Sequence, residues 1–175
     1  MDWGPLTHAY EGAHRPGHFD DVVAVVDLLF AAVRPSLSVF GEKDLQQVAV
    51  VKRLACERHP NLAIVVGALV RDDHGLALSS RNARLDQEGL LTARRLSRTL
   101  REMQEACAKG GDVAEALTAG REALEATSGI ILEYLDAVDA QSFEPYRGAH
   151  DQGAHVVVAA HVQGVRLIDN APLRT

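Results

Sequence analysis

Leu37-Ser38-Val39-Phe40-Gly41-Glu42-Lys43-Asp44-Leu45-Gln46-Gln47 decides the fold. Its first four residues, set off by Pro35, read as a short buried strand. Gly41 ends that strand and Glu42 opens a helix reaching about Arg58. Backbone N–H groups and side chains are thereby presented at the carboxyl end of a strand, where α/β sheets bind nucleotides. Upstream, His18 to Arg34 carries Phe19, Val22, Val23, Val26, Leu29, Phe30 and Val33 at a helical period, stopped by Pro35. That pattern predicts a core-facing helix. Downstream, the breaker His59-Pro60-Asn61 precedes a second strand, Leu62-Ala63-Ile64-Val65-Val66. Helix, strand, helix, strand implies a right-handed parallel crossover.

Residues 1–17 contain Gly4, Pro5, Gly12, Pro16 and Gly17 and read as an irregular entry segment. From Arg71 to Asn82 the chain becomes polar, with Asp72-Asp73-His74-Gly75 as a turn. Asp86 can cap a helix through Ala93, Leu96, Leu100, Met103 and Cys107, ending at Gly110-Gly111. Asp112, with Glu115 three residues on, resembles a capping box and starts another helix closed by Ser128-Gly129. Ile130 to Val138, His155 to Val162 and Val165 to Asp169 are strand material, with Gln163-Gly164 as a tight hairpin turn. The expected domains are therefore 1–77, a partial Rossmann-like nucleotide-binding part, and 78–175, two helices on a small, mostly antiparallel sheet.

Composition narrows the functional classes. With 47% hydrophobic residues the 175-residue chain can bury a real core. Eighteen Lys and Arg against 24 Asp and Glu give a net charge of −6, and no basic run tracks a phosphate backbone, so no nucleic-acid partner is expected. Cys56 and Cys107 have no C-x-x-C spacing, which argues against zinc and a disulfide framework. The N-terminus has neither a positive n-region nor an apolar h-region, and Asp27 interrupts the longest apolar stretch. A cytoplasmic protein without a membrane span is expected.

Two short segments carry the chemistry. In the first, Gly41 allows close backbone approach to a ligand, and Lys43 places a cation in the first turn of the next helix, against the macrodipole. At four residues' spacing, Lys43 and Gln47 are expected to share a helical face, one meeting phosphate and the other a polar carboxylic substrate. A solvated first turn with routine charges is the plainer alternative. In the second, Gly75-Leu76-Ala77-Leu78-Ser79-Ser80-Arg81-Asn82 offers two hydroxyls and a forked guanidinium within three residues, suited to the β and γ phosphates of ATP. An ordinary Ser-rich linker is the alternative there.

Together, FGEKDLQQ and VRDDHGLALSSRN resemble the second half of pantothenate synthetase (pantoate–β-alanine ligase), in the HIGH-motif nucleotidyltransferase superfamily. Arg15-Pro16-Gly17-His18-Phe19 resembles a further family segment, and the tail resembles the family's lid and dimerisation domain. The resemblance implies an α/β fold: the second half of a Rossmann-like domain followed by a small α+β domain. It implies ATP-dependent ligation of pantoate and β-alanine through a pantoyl adenylate, with ATP and Mg2+ as cofactors. On matching positions it implies that Gly41 and Asp44 hold the ribose, Lys43 faces the α-phosphate, Gln47 binds pantoate, and the Val70 backbone touches adenine. Ser79, Ser80 and Arg81 would stand for the superfamily's KMSKS loop, and His18 would line the pantoate and β-alanine side. Leu45 replaces a usual aromatic residue and Leu78 a usual Met, both leaving an apolar side chain.

No His-x-Gly-His pair and no Gly-rich phosphate loop occurs among the 175 residues. The sequence thus predicts a truncated or split form lacking the HIGH-motif half, completed by a partner chain or working as a homodimer. A non-catalytic nucleotide-binding or dimerisation remnant, or a relative acting on another hydroxy acid, are the alternatives. No metal site is expected from histidine, because Pro16 and Gly17 break the helix that would aim His14 and His18 at one ion. His150, His155 and His161 read as structural, and Asp136, Asp139 and Asp169 as strand-end charges.

Overall fold

A computed structural model of the chain describes residues 2–146 and 153–173. They form two compact units, 1–68 with 140–144, and 69–139 with 145–175. The expected boundary after residue 77 lies beyond this division. Residues 69–77 join the second unit because Leu76 is buried in its core and Arg71 pairs with Asp169. His150 lies outside the described residues.

In the first unit, the entry segment is not irregular but holds two short helices, α1 (Pro5–His8) and α2 (Glu11–His14). Pro5 sits in the first turn of α1, where its missing N–H costs nothing. Gln46 then ties the segment down: its Nε2 donates to the Leu6 and Ala9 carbonyls (3.1 and 3.0 Å), and its Oε1 accepts from the Glu11 N–H (3.0 Å). A third helix, α3 (His18–Val33), ends at Arg34 in the left-handed region (φ 51°). It buries Phe19, Val23 and Phe30, whereas Leu29 and Val33, expected on the core face, are exposed with Val25 and Leu28. Its apolar stripe is broader than the surface these residues cover.

Strand β1 (Leu37–Gly41) leads through a 3-10 turn (Glu42–Asp44) into α4 (Leu45–Arg58), followed by β2 (Ala63–Gly67). The two strands pair in parallel, Leu37 opposite Ala63 and Val39 opposite Val65. One face of the pair meets the helices, with Phe40 edge-on to Phe30 at 6.4 Å. The opposite face is bare: Leu37 is 51%, Val39 62% and Val65 41% exposed. Parallel sheets ordinarily have both faces covered.

The second unit begins with the Asp72–Gly75 turn and a 3-10 segment, Ser80–Arg84. As the sequence predicts, Asp86 caps α5 (Gln87–Ala108) by accepting from the Gly89 N–H, and Asp112 caps α6 (Val113–Glu125) by accepting from the Ala114 and Glu115 N–H groups. Strands β3 (Ile130–Asp139), β4 (Ala154–Val162) and β5 (Val165–Pro172) form an antiparallel sheet with β4 in the centre. Gln163 and Gly164 both take positive φ (50° and 75°), the conformation a two-residue hairpin turn demands. Alternate residues Val156, Val158, Ala160 and Val162 of β4 join Leu96, Leu100 and Leu124 of the helices in one core.

Candidate functional site

The residues singled out from the sequence fall into two groups, one on each unit. Gly41, Lys43, Asp44, Gln47 and His18 belong to the first unit; Val70, Ser79, Ser80 and Arg81 belong to the second.

In the first group, Gly41 closes β1 with ordinary extended backbone (φ −77°, ψ 134°), and a Cβ built there meets nothing within 4 Å. Neither strain nor crowding demands glycine, which leaves open backbone at the strand's carboxyl end. Lys43 does not lie in the first turn of α4. It sits in the 3-10 turn, and Asp44 (φ −94°, ψ 61°) separates it from the helix as N-cap. The expected one-turn stacking of Lys43 and Gln47 on one α-helical face is therefore not formed, because the 3.6-residue period does not run through Asp44. Asp44 makes no side-chain capping bond, so its carboxylate is not committed to its own helix.

Gln47 is half-buried, one residue past the fully enclosed Gln46. His18 opens α3, its ring 5.1 Å from that of Phe19. Burial, and then the nearby Arg15 charge, push its imidazole below the usual value despite Glu11, Asp21 and Asp44. It is held neutral at pH 7, able to donate from one ring nitrogen and accept at the other.

In the second group, the Val70 carbonyl accepts from the Leu78 N–H (2.9 Å) across the loop. Within that loop, Asp72 Oδ1 accepts from His74 and Leu76 N–H groups (2.9 and 2.8 Å). Burial pushes the Asp72 carboxyl up, but these donors with the Arg94 and His74 charges outweigh it and leave it below the usual range. Ser79 caps the 3-10 segment by accepting from the Arg81 N–H (3.2 Å), Ser80 is exposed, and Arg81 is half-buried. The Asn82 side chain donates to the Ala77 carbonyl (3.0 Å), closing the base of the Ser-Ser-Arg segment.

Two features were illegible in the sequence. Asp169 is no strand-end charge: it is 4% exposed and held by both guanidinium nitrogens of Arg71. Asp136 also lies within β3, its Oδ1 accepting from the Ala137 N–H. Arg71 and Asp169 stand 98 residues apart, so no local pattern links them. His155 and His161 are hydrogen-bonded side chains, His161 Nε2 lying 2.7 Å from Glu133 Oε1. Among the described residues, no group of three or more His, Cys, Asp or Glu could hold a metal ion, and no helix is long and apolar enough to cross a membrane.

The family described as Pantoate-beta-alanine ligase matches residues 1–172. Pantothenate synthetase of Rhizorhabdus wittichii is 45% identical over 167 residues, which are 95% of this chain and 59% of that protein. The crystal structure of pantothenate synthetase from Thermus thermophilus superposes with a TM-score of 0.93 at 43% identity, over 98% of this chain and 62% of that one. A pantoate-beta-alanine ligase from Francisella tularensis, solved in complex with Beta-gamma ATP and beta-alanine, gives 0.73 at 26% identity, over 99% of this chain and 57% of that one. The chain thus spans about three-fifths of the length of these relatives.

Proposed function

Because the chain belongs to the pantoate–β-alanine ligase family, we propose that it carries one wall of the site that joins pantoate to β-alanine at the expense of ATP. The observation that carries this reading is the family match along residues 1–172, which takes in both the Gly41–Gln47 and the Ser79–Arg81 segments. The pantoate carboxylate attacks the α-phosphorus of ATP and expels pyrophosphate; the β-alanine amine then attacks the acyl carbon, loses a proton and expels AMP. Charge builds on phosphate oxygens in the first step, so fixed cations and hydroxyl donors supply most of what the protein can contribute.

Lys43 meets the α-phosphate, Gly41 and Asp44 the ribose, and the Val70 backbone the adenine. Gln47 and neutral His18 line the pantoate and β-alanine side. Ser79, Ser80 and Arg81 grip the departing phosphates, and the resulting lid role fits the unit that carries them. Mg2+ ordinarily reaches such sites on nucleotide phosphates and keeps several waters. The described residues offer no cage of their own for it, and no step is assigned to it.

The other wall comes from sequence outside these 175 residues, on the same or a second polypeptide. The bare Leu37, Val39 and Val65 face supports this, since a parallel sheet needs a second layer. A reducing cytoplasm suits Cys56 and Cys107, neither of which is in a disulfide. A homodimer formed through the strand-rich tail would double the mass in sedimentation, and a monomer rules it out.

The deciding experiment incubates the chain with Mg-ATP, pantoate and β-alanine, alone and with the remaining portion of a family ligase, and follows AMP and pyrophosphate. Product formed only in the mixture supports the reading. A mixture that binds ATP yet releases neither product leaves a nucleotide-binding module and sinks the ligase.

A further inference from the structure

The Ser79-Ser80-Arg81 segment is bracketed by two side-chain anchors, and both run to the β4–β5 hairpin. Upstream, Arg71 Nη1 donates to Asp169 Oδ2 (2.7 Å) and the Gly75 carbonyl (3.0 Å), while Nη2 donates to Asp169 Oδ1 (2.9 Å) and the Asn170 carbonyl (3.0 Å). Fork-on-fork pairing fixes the guanidinium in plane as well as position. Downstream, Gln163 at the hairpin turn donates to Asp86 Oδ1 (2.7 Å) and accepts from the Asp86 N–H (3.3 Å). Capping of α5 needs only the Asp86 to Gly89 bond (2.8 Å). Closing the Asp72–Gly75 turn needs only Asp72 and its backbone partners. The additional bonds tie both ends of the intervening segment to one rigid element, and Ser80 is left exposed between them.

We propose that Arg71 with Asp169, and Gln163 with Asp86, are positioning pairs that hold the Ser79-Ser80-Arg81 loop in its phosphate-gripping geometry. This rests on the nucleotide role given to that loop above. A loop that must place two hydroxyls and a guanidinium on phosphate oxygens binds best when its ordering is completed before the ligand arrives. The pairs touch no substrate and act through the loop.

ATP and AMP differ by the phosphates the loop would hold, so the ratio of their affinities isolates loop geometry from stability. The test measures both affinities calorimetrically on the full chain for the unaltered protein, Arg71→Lys, Gln163→Ala and Arg81→Ala, well below each melting temperature. Arg71→Lys removes the fork but keeps the charge. Gln163 is exposed, so its truncation leaves the fold intact even if Arg71→Lys does not. Each positioning variant is expected to lose about tenfold in ATP affinity, with AMP affinity within about twofold. An unchanged ratio in Gln163→Ala and in folded Arg71→Lys, with Arg81→Ala still lowering it, overturns the positioning role alone. No preference for ATP in the unaltered chain, or none lost in Arg81→Ala, removes the phosphate-loop reading and this proposal with it.

Discussion

Gln46 and Gln47 are consecutive residues at the start of α4 with opposite fates: Gln46 is 4% exposed and fully used by Leu6, Ala9 and Glu11, while Gln47 is half-buried. A rotation of about 100° per residue sends neighbours to different faces. One amide holds the entry segment in place, and the other lies on a different face of α4, half-buried. Gln46→Ala is expected to cost about 3 kcal/mol in denaturant unfolding, since it strands the buried Glu11 N–H and the Leu6 carbonyl, while the Ala9 carbonyl keeps its bond from the Gly12 N–H. Gln47→Ala should stay within about 0.5 kcal/mol of the unaltered chain yet weaken pantoate binding in the complemented mixture. Equal stability losses would show that the two amides have been misassigned.

Lys43→Ala removes the cation assigned to the α-phosphate without touching a buried residue. In the mixture with the remaining portion of a family ligase, the rate of pantoyl adenylate formation should fall about 10²–10³-fold. An undiminished pyrophosphate burst contradicts the assignment.

The bare side of β1 and β2 separates an effect on activity from an effect on folding. Val39→Glu puts a carboxylate on a face open in this chain, so its own unfolding free energy should change by no more than about 0.5 kcal/mol. Product formation in the mixture should fall at least tenfold, because covering the face would bury an unpaired charge. If activity survives, that face is not where the second layer sits.

Asp86 gives a pH signature. The Gly89 N–H first, and then the Gln163 amide, hold its carboxyl below the usual carboxylate range. The folded chain then binds fewer protons here than the unfolded one. Its stabilising contribution is complete above about pH 4 and is lost as pH falls through the lower folded value. The melting-temperature gap between the unaltered chain and Asp86→Asn should therefore be widest near neutrality and shrink in acid. A gap constant down to pH 2 would exclude charge as its source.

Gly12 in α2 has no room for a side chain: an added Cβ would overlap the Thr7 carbonyl oxygen and lie 2.6 Å from its carbon. Backbone cannot swing aside as a long side chain can. Gly12→Ala should destabilise by about 2 kcal/mol despite alanine's better helix propensity; a variant as stable as the parent would show that α1 and α2 move freely.

The helix from His18, the two parallel strands, both capped helices and the Gln163-Gly164 hairpin were legible because each is specified within about twenty residues by period, cap or turn chemistry. Lys43 shows the limit of that reading. Four-residue spacing implies a shared face only if the helix is continuous, and Asp44 breaks it. Leu29 and Val33 show another: periodicity marks which side of a helix is apolar, not how much of it finds cover.

By itself the sequence determined the local elements and the two chemically suggestive segments, since hydrogen-bonding periodicity and residue type act over short range. Only the tertiary structure decided what anchors those segments. Gln46 to Leu6 and Arg71 to Asp169 are bonds between residues 40 and 98 positions apart, and a buried donor finds its acceptor only when the folded chain brings distant backbone and side chains together.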